Sequence, residues 1–110
     1  MSLFGEYIKE TQDKEIIEDE FGFATYYPAF DNQYMYIEDI YVKKGSRNKN
    51  RAASYADRIA EKAKAQGIKK LLGSVNMQIK DPTRSAKVLL AYGFSIIEAK
   101  NDIIYFEKEI

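Results

Sequence analysis

The residues best suited to chemistry form a cationic segment over 43–51, which leads directly into an Ala-rich stretch. The segment contains no acidic residue, and the stretch after it predicts a helix that ends at Gly67. Unpaired backbone N–H groups and the helix dipole attract phosphate at such a helix start, and Lys and Arg strengthen the attraction. The pattern therefore predicts either a phosphate site or a solvated loop that only aids solubility.

The composition limits the groups that could act as catalysts. The 110 residues include no cysteine and no histidine, which excludes disulfides, thiolate metal sites, a Cys nucleophile and the usual general base. Acid and base roles are left to Asp, Glu, Tyr, Lys, water or the substrate, and we expect no metal. Because the formal net charge is zero, we expect no overall attraction to nucleic acid or to anionic lipid.

The length and the hydropathy pattern indicate the class of protein. A chain of 110 residues is typical of one domain, so we expect a single domain over 1–110. No apolar run is long enough to span a bilayer, and the first residues lack the pattern of a signal peptide. We therefore expect a cytoplasmic protein.

The hydrophobic pattern also predicts the elements that must position the cationic segment. In chain order these are a helix over 3–9, strands over 15–19, 22–30 and 33–43, a helix over 52–67, a strand over 69–76, a helix over 82–93 capped by Asp81, and strands over 94–99 and 103–108. The strand–helix–strand crossover implies one parallel pair with a right-handed connection. We therefore expect an α/β fold with a mixed, mostly antiparallel sheet and helices on its faces.

The strand over 33–43 should be central because it is dense in Tyr, Ile and Val. Strict alternation would place Glu38 on one face with Ile40 and Val42, and Asp39 on the opposite face. On the helix that follows, we expect an apolar stripe formed by Ala52, Ala56, Ile59, Ala60 and Ala63.

Two stretches around the cationic segment resemble the acetyl-CoA motif of the GNAT superfamily of N-acetyltransferases. Segment 36–42 (YIEDIYV) is similar to the family's aliphatic strand ending in Val. Segment 47–52 (RNKNRA) is similar to the pattern Gln/Arg-x-x-Gly-x-Gly/Ala that opens a helix. Arg47 and Ala52 match the ends of this pattern, whereas Asn50 stands where the family has glycine.

The resemblance continues to the C-terminus through the Gly-Phe pair at Gly93 and Phe94, and it implies a fold and a function. The implied fold is a GNAT-like sheet with a splayed parallel pair, truncated N-terminal elements and an open acceptor cleft. The implied reaction uses acetyl-CoA as co-substrate, and a primary amine attacks the thioester directly. The amine would belong to a small molecule or a protein, and a second copy of the chain is a further candidate partner.

The resemblance also assigns roles to residues. Glu38 would take the amine proton, with Asp39 as the second candidate, and the alternative for Glu38 is an ordinary exposed strand carboxylate. Leu89 stands where many members place a Tyr that protonates the departing thiolate, and we interpret Tyr92 as a packing residue. The implied CoA-binding residues are Ile40, Tyr41, Val42, Arg47, Asn48, Lys49, Asn50, Arg51 and Ala52.

The sequence is compatible with two other functions. A non-catalytic GNAT-like module that binds CoA or a protein partner is favoured by Asn50 and Leu89. A binder of nucleic acid or another polyanion would contact phosphates through its loop cations. These cations are Lys43, Lys44, Arg47, Lys49 and Arg51.

Overall fold

The computed structural model describes residues 2–47, 50–78 and 82–110. The elements are α1 (Leu3–Gln12), β1 (Glu15–Glu18), β2 (Gly22–Ala29), β3 (Tyr34–Val42), α2 (Arg51–Ala65), β4 (Lys70–Asn76), α3 (Pro82–Tyr92), β5 (Ser95–Lys100) and β6 (Ile103–Glu109). Each predicted helix and strand is present, and α1 continues almost one turn further than expected. The helices of the described ranges are too short or too polar to cross a membrane.

The six strands form one mixed sheet in the order β1-β2-β3-β4-β6-β5. The pairs are antiparallel except for β3 and β4, which are parallel. The helix α2 connects these two strands, as the crossover predicted. The predicted α/β fold and the inner position of β3 are therefore confirmed.

The parallel pair is splayed. Within the described strands, β3 and β4 pair only at Met35↔Leu71 and Tyr36↔Leu72, although β3 continues to Val42 and β4 continues to Asn76. The two strands therefore separate after one short contact, and they leave an opening toward the start of α2. We call this opening the splay.

Helices cover both faces of the sheet. The helices α2 and α3 share one face, because Ile59 of α2 and Leu89 of α3 pack into the same core cluster. We call this the core face. On the opposite face, α1 packs against β1 and β2, where the Phe4 and Phe23 ring centroids are 5.1 Å apart. The core cluster consists of Ile17, Ala24, Tyr26, Met35, Ile37, Tyr55, Ala56, Ile59, Ala60, Ala63, Ile68, Leu71, Val75, Phe94 and Phe106.

The apolar stripe of α2 includes a residue that the pattern did not predict. Tyr55 is only 1% exposed, and its hydroxyl donates a hydrogen bond of 2.6 Å to Asp19 Oδ1 in the β1–β2 turn. Burial, together with this bond, raises the pKa of the Tyr55 hydroxyl to about 12. Tyr55 thus ties the first half of α2 to the edge of the sheet.

A β-bulge interrupts β3 at Glu38. Thr25 of β2 pairs with Asp39 and Tyr26 pairs with Ile37, so Glu38 is one extra residue in the ladder. Since paired residues share a face, Ile37 lies with Tyr26 on the core face, and Ile40 lies there with Ala24. The strict alternation predicted for this strand is therefore wrong beyond Ile37, because the bulge shifts its phase by one residue.

Candidate functional site

The first backbone N–H groups of α2 have no hydrogen-bond acceptor among the described residues. Ser54 N–H donates to Asn50 O at 3.0 Å and makes the first bond of the helix. The N–H groups of Arg51, Ala52 and Ala53 precede that bond and have no acceptor inside the helix. The first turn contains no acidic side chain. The positive end of the helix dipole therefore meets no carboxylate of its own first turn, and it favours an anion.

Asn50 adopts the conformation for which glycine is usual. It occupies the N-cap position of α2 with φ 57° and ψ 25°, in the left-handed region, and its side chain makes no cap hydrogen bond. Among residues with a side chain, Asn is one of the few that visit this region routinely. The substitution that sets this loop apart from the family pattern therefore keeps the backbone bend.

Arg47 lies at the end of β3, beside the splay. Its Nε donates to Val42 O at 3.0 Å, and its guanidinium carbon lies 5.9 Å from the centroid of the Tyr41 ring. A guanidinium has five N–H donors, and the bond to Val42 O uses only the one on Nε. Arg47 can therefore place a positive charge next to the start of α2.

Arg51 has a different environment. Its guanidinium carbon lies 3.5 Å from the centroid of the Phe21 ring, in the turn between β1 and β2. Its Nε is buried and has no hydrogen-bond partner among the described residues. The Arg51 side chain therefore packs against the turn, and what it adds at the helix start is a nearby positive charge. The other predicted residues of this region can be placed only in part. Ala52 is half-buried. Asn48, Lys49 and the predicted cap Asp81 lie outside the described residues.

The backbone groups of β3 divide between β2 and the splay. Lys43 N–H donates to Phe21 O at 2.8 Å, on the β2 side. Because these groups alternate along an antiparallel strand, Tyr41 also directs its N–H and C=O toward β2. Ile40 and Val42 direct theirs toward the splay, where Arg47 already uses one lone pair of Val42 O. Two of the three predicted strand residues thus face the opening.

Glu38 lies on the face opposite the core, together with Asp39. The bulge places Asp39 opposite Thr25, whose hydroxyl lies 3.4 Å from Asp39 Oδ2. Glu38 Oε2 is 2.7 Å from the ammonium of Lys14, which precedes β1. This contact is an ion pair between the Lys14 ammonium and the Glu38 carboxylate. The prediction that Glu38 shares a face with Ile40 and Val42 is therefore wrong.

Lys14 was not among the predicted site residues. Its side chain is only 18% exposed, compared with 43% for Lys9 on α1. Its close polar contact with Glu38 is the main cause that raises the pKa of Lys14. Nothing in the sequence around Lys14 indicates this contact, which depends on the sheet order and on the bulge.

Tyrosines line the same face near the narrow end of the splay. The Tyr36 hydroxyl lies 2.6 Å from Ser74 Oγ, across the gap from β3 to β4. Tyr27 packs edge-on against Tyr36, with 5.4 Å between ring centroids. Burial, and then the nearby Glu38 carboxylate, raises the pKa of Tyr27. Tyr26, by contrast, is buried in the core on the other face.

The last turns of α3 are used for packing. A Cβ added to Gly73 would lie 3.3 Å from Leu89 Cδ2, so the missing side chain of Gly73 makes room for Leu89. Tyr92 donates a hydrogen bond of 2.5 Å to Asp57 Oδ1 on α2, which agrees with its interpretation as a packing residue. Position 89 of α3 is therefore occupied by an apolar packing side chain, which cannot protonate a thiolate.

A separate hollow of about 460 Å³ lies away from the splay, between α2, α3 and the end of β6. Three carboxylate side chains line it, against two lysines, which disfavours a diphosphate. Its lining consists of Asp57, Ala60, Glu61, Lys64, Tyr92, Lys108, Glu109 and Ile110.

Several solved structures share this fold. The chain is similar to a GNAT-family protein from Desulfovibrio desulfuricans, with a TM-score of 0.77 and 16% identity over 94% of this chain and 74% of that one. It is also similar to the PaiA N-acetyltransferase from Thermoplasma acidophilum in complex with coenzyme A. The TM-score is 0.75 and the identity is 16%, over 98% of this chain and 69% of that one. A third similar structure is a GNAT family acetyltransferase from Elizabethkingia anophelis with acetyl-CoA bound. The TM-score is 0.72 and the identity is 21%, over 96% of this chain and 82% of that one. At these identities the likeness shows the fold.

A comparison with curated protein sequences gives no match. The family model described as acetyltransferase (GNAT) family matches residues 12–85. This range contains the bulged strand β3, the splay and the start of α2. The chain belongs to the GNAT family of acetyltransferases.

Proposed function

We propose that the chain is an acetyl-CoA-dependent N-acetyltransferase, a single domain over 1–110 that transfers an acetyl group to a primary amine of an unidentified acceptor. The observation that carries the proposal is the set of N–H groups at the start of α2 that lie before the first bond of the helix and so have no acceptor within it, at the open end of the splay. The relatives from T. acidophilum and E. anophelis, which share the fold, have coenzyme A and acetyl-CoA bound.

The residues at the start of α2 fit a diphosphate. The N–H groups of Arg51, Ala52 and Ala53 donate to its oxygens, and no carboxylate of the first turn repels it. Arg47 adds a cation from the end of β3. The left-handed Asn50 turns the chain into the helix without covering these amides.

The strand β3 guides the rest of the substrate toward Glu38. Ile40 and Val42 offer backbone N–H and C=O groups to the amides of the pantetheine arm. Val42 lies four positions after Glu38, a distance of about 13 Å along an extended strand. An arm that starts at α2 and follows β3 therefore brings its thioester near the bulge.

Glu38 is the base in this mechanism. It accepts one proton from the ammonium of the acceptor, and the resulting amine attacks the thioester carbonyl carbon. The carbon–sulfur bond breaks, and coenzyme A leaves as a thiolate, which takes up the second proton of the amine or a proton from water. Leu89 takes no part in this step, because its side chain is apolar and packs beside Gly73.

A non-catalytic module that binds coenzyme A or a protein partner is the second candidate. It is favoured by the ion pair that engages Glu38 and by the packed Leu89. The two functions share the binding step and differ in turnover. A chain that binds acetyl-CoA but transfers acetyl to no amine would support the module.

Isothermal titration calorimetry with acetyl-CoA, coenzyme A and a short DNA duplex tests the proposal. We expect heat with both coenzymes and none with DNA, because the net charge is zero. If neither acetyl-CoA nor coenzyme A binds, the proposal that the chain is an acetyltransferase is refuted. Binding to DNA alone, with an affinity that falls steeply as salt rises, would instead support the polyanion binder.

A further inference from the structure

The ammonium group of Lys14 is held at Glu38 in an unusual environment for a lysine. Lys14 Nζ lies 2.7 Å from Glu38 Oε2 and donates to Gln12 Oε1 at 3.0 Å. Its side chain is 18% exposed, whereas most lysine side chains lie largely in solvent. The neighbouring pair of Lys9 and Glu15 is an ordinary surface pair, at 3.2 Å with both side chains about half exposed.

The position of Lys14 matches what the proposed reaction asks of its acceptor. The reaction needs a primary amine in contact with the base, next to the thioester. Glu38 is the bulge residue of β3, and it lies two residues after Tyr36, which marks the narrow end of the splay. A thioester carried along β3 from Val42 therefore ends close to Lys14 Nζ, and such proximity greatly favours attack.

We infer that Lys14 occupies the place of the acceptor amine and is itself an acceptor, so that the acetyl-CoA-loaded protein acetylates its own Lys14. This inference rests on the proposed function. It identifies the acceptor class as an ammonium on a flexible chain of the lysine type, which reaches Glu38 from the face lined by Tyr27 and Tyr36.

The three protons of the Lys14 ammonium go to different places in the reaction. Glu38 accepts one of the three protons of the Lys14 ammonium, and the Nζ lone pair forms a bond to the thioester carbonyl carbon. The carbon–sulfur bond breaks, and the second proton goes to the thiolate, so coenzyme A leaves as the thiol. The third proton stays on the amide nitrogen, and Glu38 returns its proton to water. The products are N-acetyl-lysine at position 14 and coenzyme A.

The modification also changes the site. An acetylated Lys14 carries no charge, so it no longer forms an ion pair with Glu38. An external amine then has a free carboxylate to bind. Before modification, the same amine must displace Lys14 from Glu38.

Peptide mapping by mass spectrometry after incubation with acetyl-CoA tests the inference, with Lys9 as the internal comparison. We expect one acetyl group per chain, placed on Lys14, with an initial rate at least about a hundredfold above that of Lys9. A small reagent, N-hydroxysuccinimidyl acetate, should give the opposite order, because Lys14 is less exposed and its pKa is raised. The same order with both reagents would overturn the inference.

Two variants separate a chemical role of Lys14 from a structural one. Lys14→Arg should keep the ion pair and lose the modification. Lys14→Ala should acetylate n-butylamine, which has the carbon chain of a lysine side chain, faster than the unmodified wild type does. If Lys14→Ala does not fold, the mapping experiment on the wild type still decides.

The outcomes also distinguish this inference from the function on which it rests. Calorimetric binding of acetyl-CoA, with acetylation of n-butylamine but not of Lys14, would refute the inference and keep the enzyme. Failure to bind either coenzyme would refute both.

Discussion

The Tyr36 hydroxyl lies 2.6 Å from Ser74 Oγ and joins β3 to β4 directly beside the last backbone pair between them. The two strands separate beyond this contact, so one side-chain hydrogen bond marks the narrow end of the splay. On this account, the opening that receives the pantetheine arm begins where the Tyr36–Ser74 bond ends.

Removal of the Tyr36–Ser74 hydrogen bond should lower the free energy of unfolding by a similar amount whether Tyr36, Ser74 or both are changed. We expect Tyr36→Phe and Ser74→Ala each to lower the free energy of unfolding by about 1 kcal/mol. The double variant should lose no more than the larger single loss, because the same bond is removed. Urea unfolding of the four proteins measures this, and additive losses would show that the hydroxyls act independently.

The stability of the protein should fall above pH 10, in part through Tyr55. Burial raises the pKa of Tyr55 to about 12, whereas a Tyr in the unfolded chain titrates near its usual value of about 10. The stabilisation is therefore complete below about pH 10 and is lost as the pH rises toward 12.

Tyr55→Phe tests this assignment. The variant should be less stable at pH 7 by about 1 kcal/mol, since it lacks the bond to Asp19. Between pH 10 and 12 it should lose less stability than the wild type, measured by urea unfolding at each pH. Parallel curves for the two proteins would show that Tyr55 does not titrate in this range.

Asn50 should tolerate glycine but not alanine, because its φ is 57°. Asn50→Gly should change the free energy of unfolding by only a few tenths of a kcal/mol and should keep coenzyme A affinity. Asn50→Ala should cost about 1 kcal/mol or more, since Ala is strained in the left-handed region. Equal melting temperatures for the two variants would contradict this account of the helix start.

A negative charge at the start of α2 should weaken coenzyme A binding without unfolding the protein. Asp in the first turn stabilises a helix through its dipole but repels a diphosphate. We expect Ala53→Asp to keep the melting temperature and to lower the calorimetric affinity for coenzyme A about tenfold. Ala65→Asp adds the same charge at the last residue of α2 and should leave the affinity unchanged. Equal losses in both variants would indicate a general charge effect.

The order of elements could be predicted because local signals mark it. Isoleucine, valine and aromatic residues identify β3, and Gly67 and Gly93 take positive φ values after α2 and α3. The cationic segment and the Ala-rich stretch place the start of α2 to within one residue. These signals need no knowledge of which strands pair.

The arrangement around Glu38 could not be predicted in the same way. The bulge has no signature in segment 36–42, because it arises from the register between Thr25 and Tyr26 of a different strand. The pairing of Lys14 with Glu38 depends on that bulge and on the path of the chain between α1 and β1. Periodicity within one strand cannot report on either of them.

The backbone amides of α2 give the most direct test that the diphosphate of coenzyme A binds at the start of this helix. In a titration of ¹⁵N-labelled protein with coenzyme A, followed by ¹H–¹⁵N correlation spectra, we expect the amides of Arg51, Ala52 and Ala53 to shift most. Binding with these three amides unchanged, and with the largest shifts at the hollow beside Asp57 and Tyr92, would contradict the account.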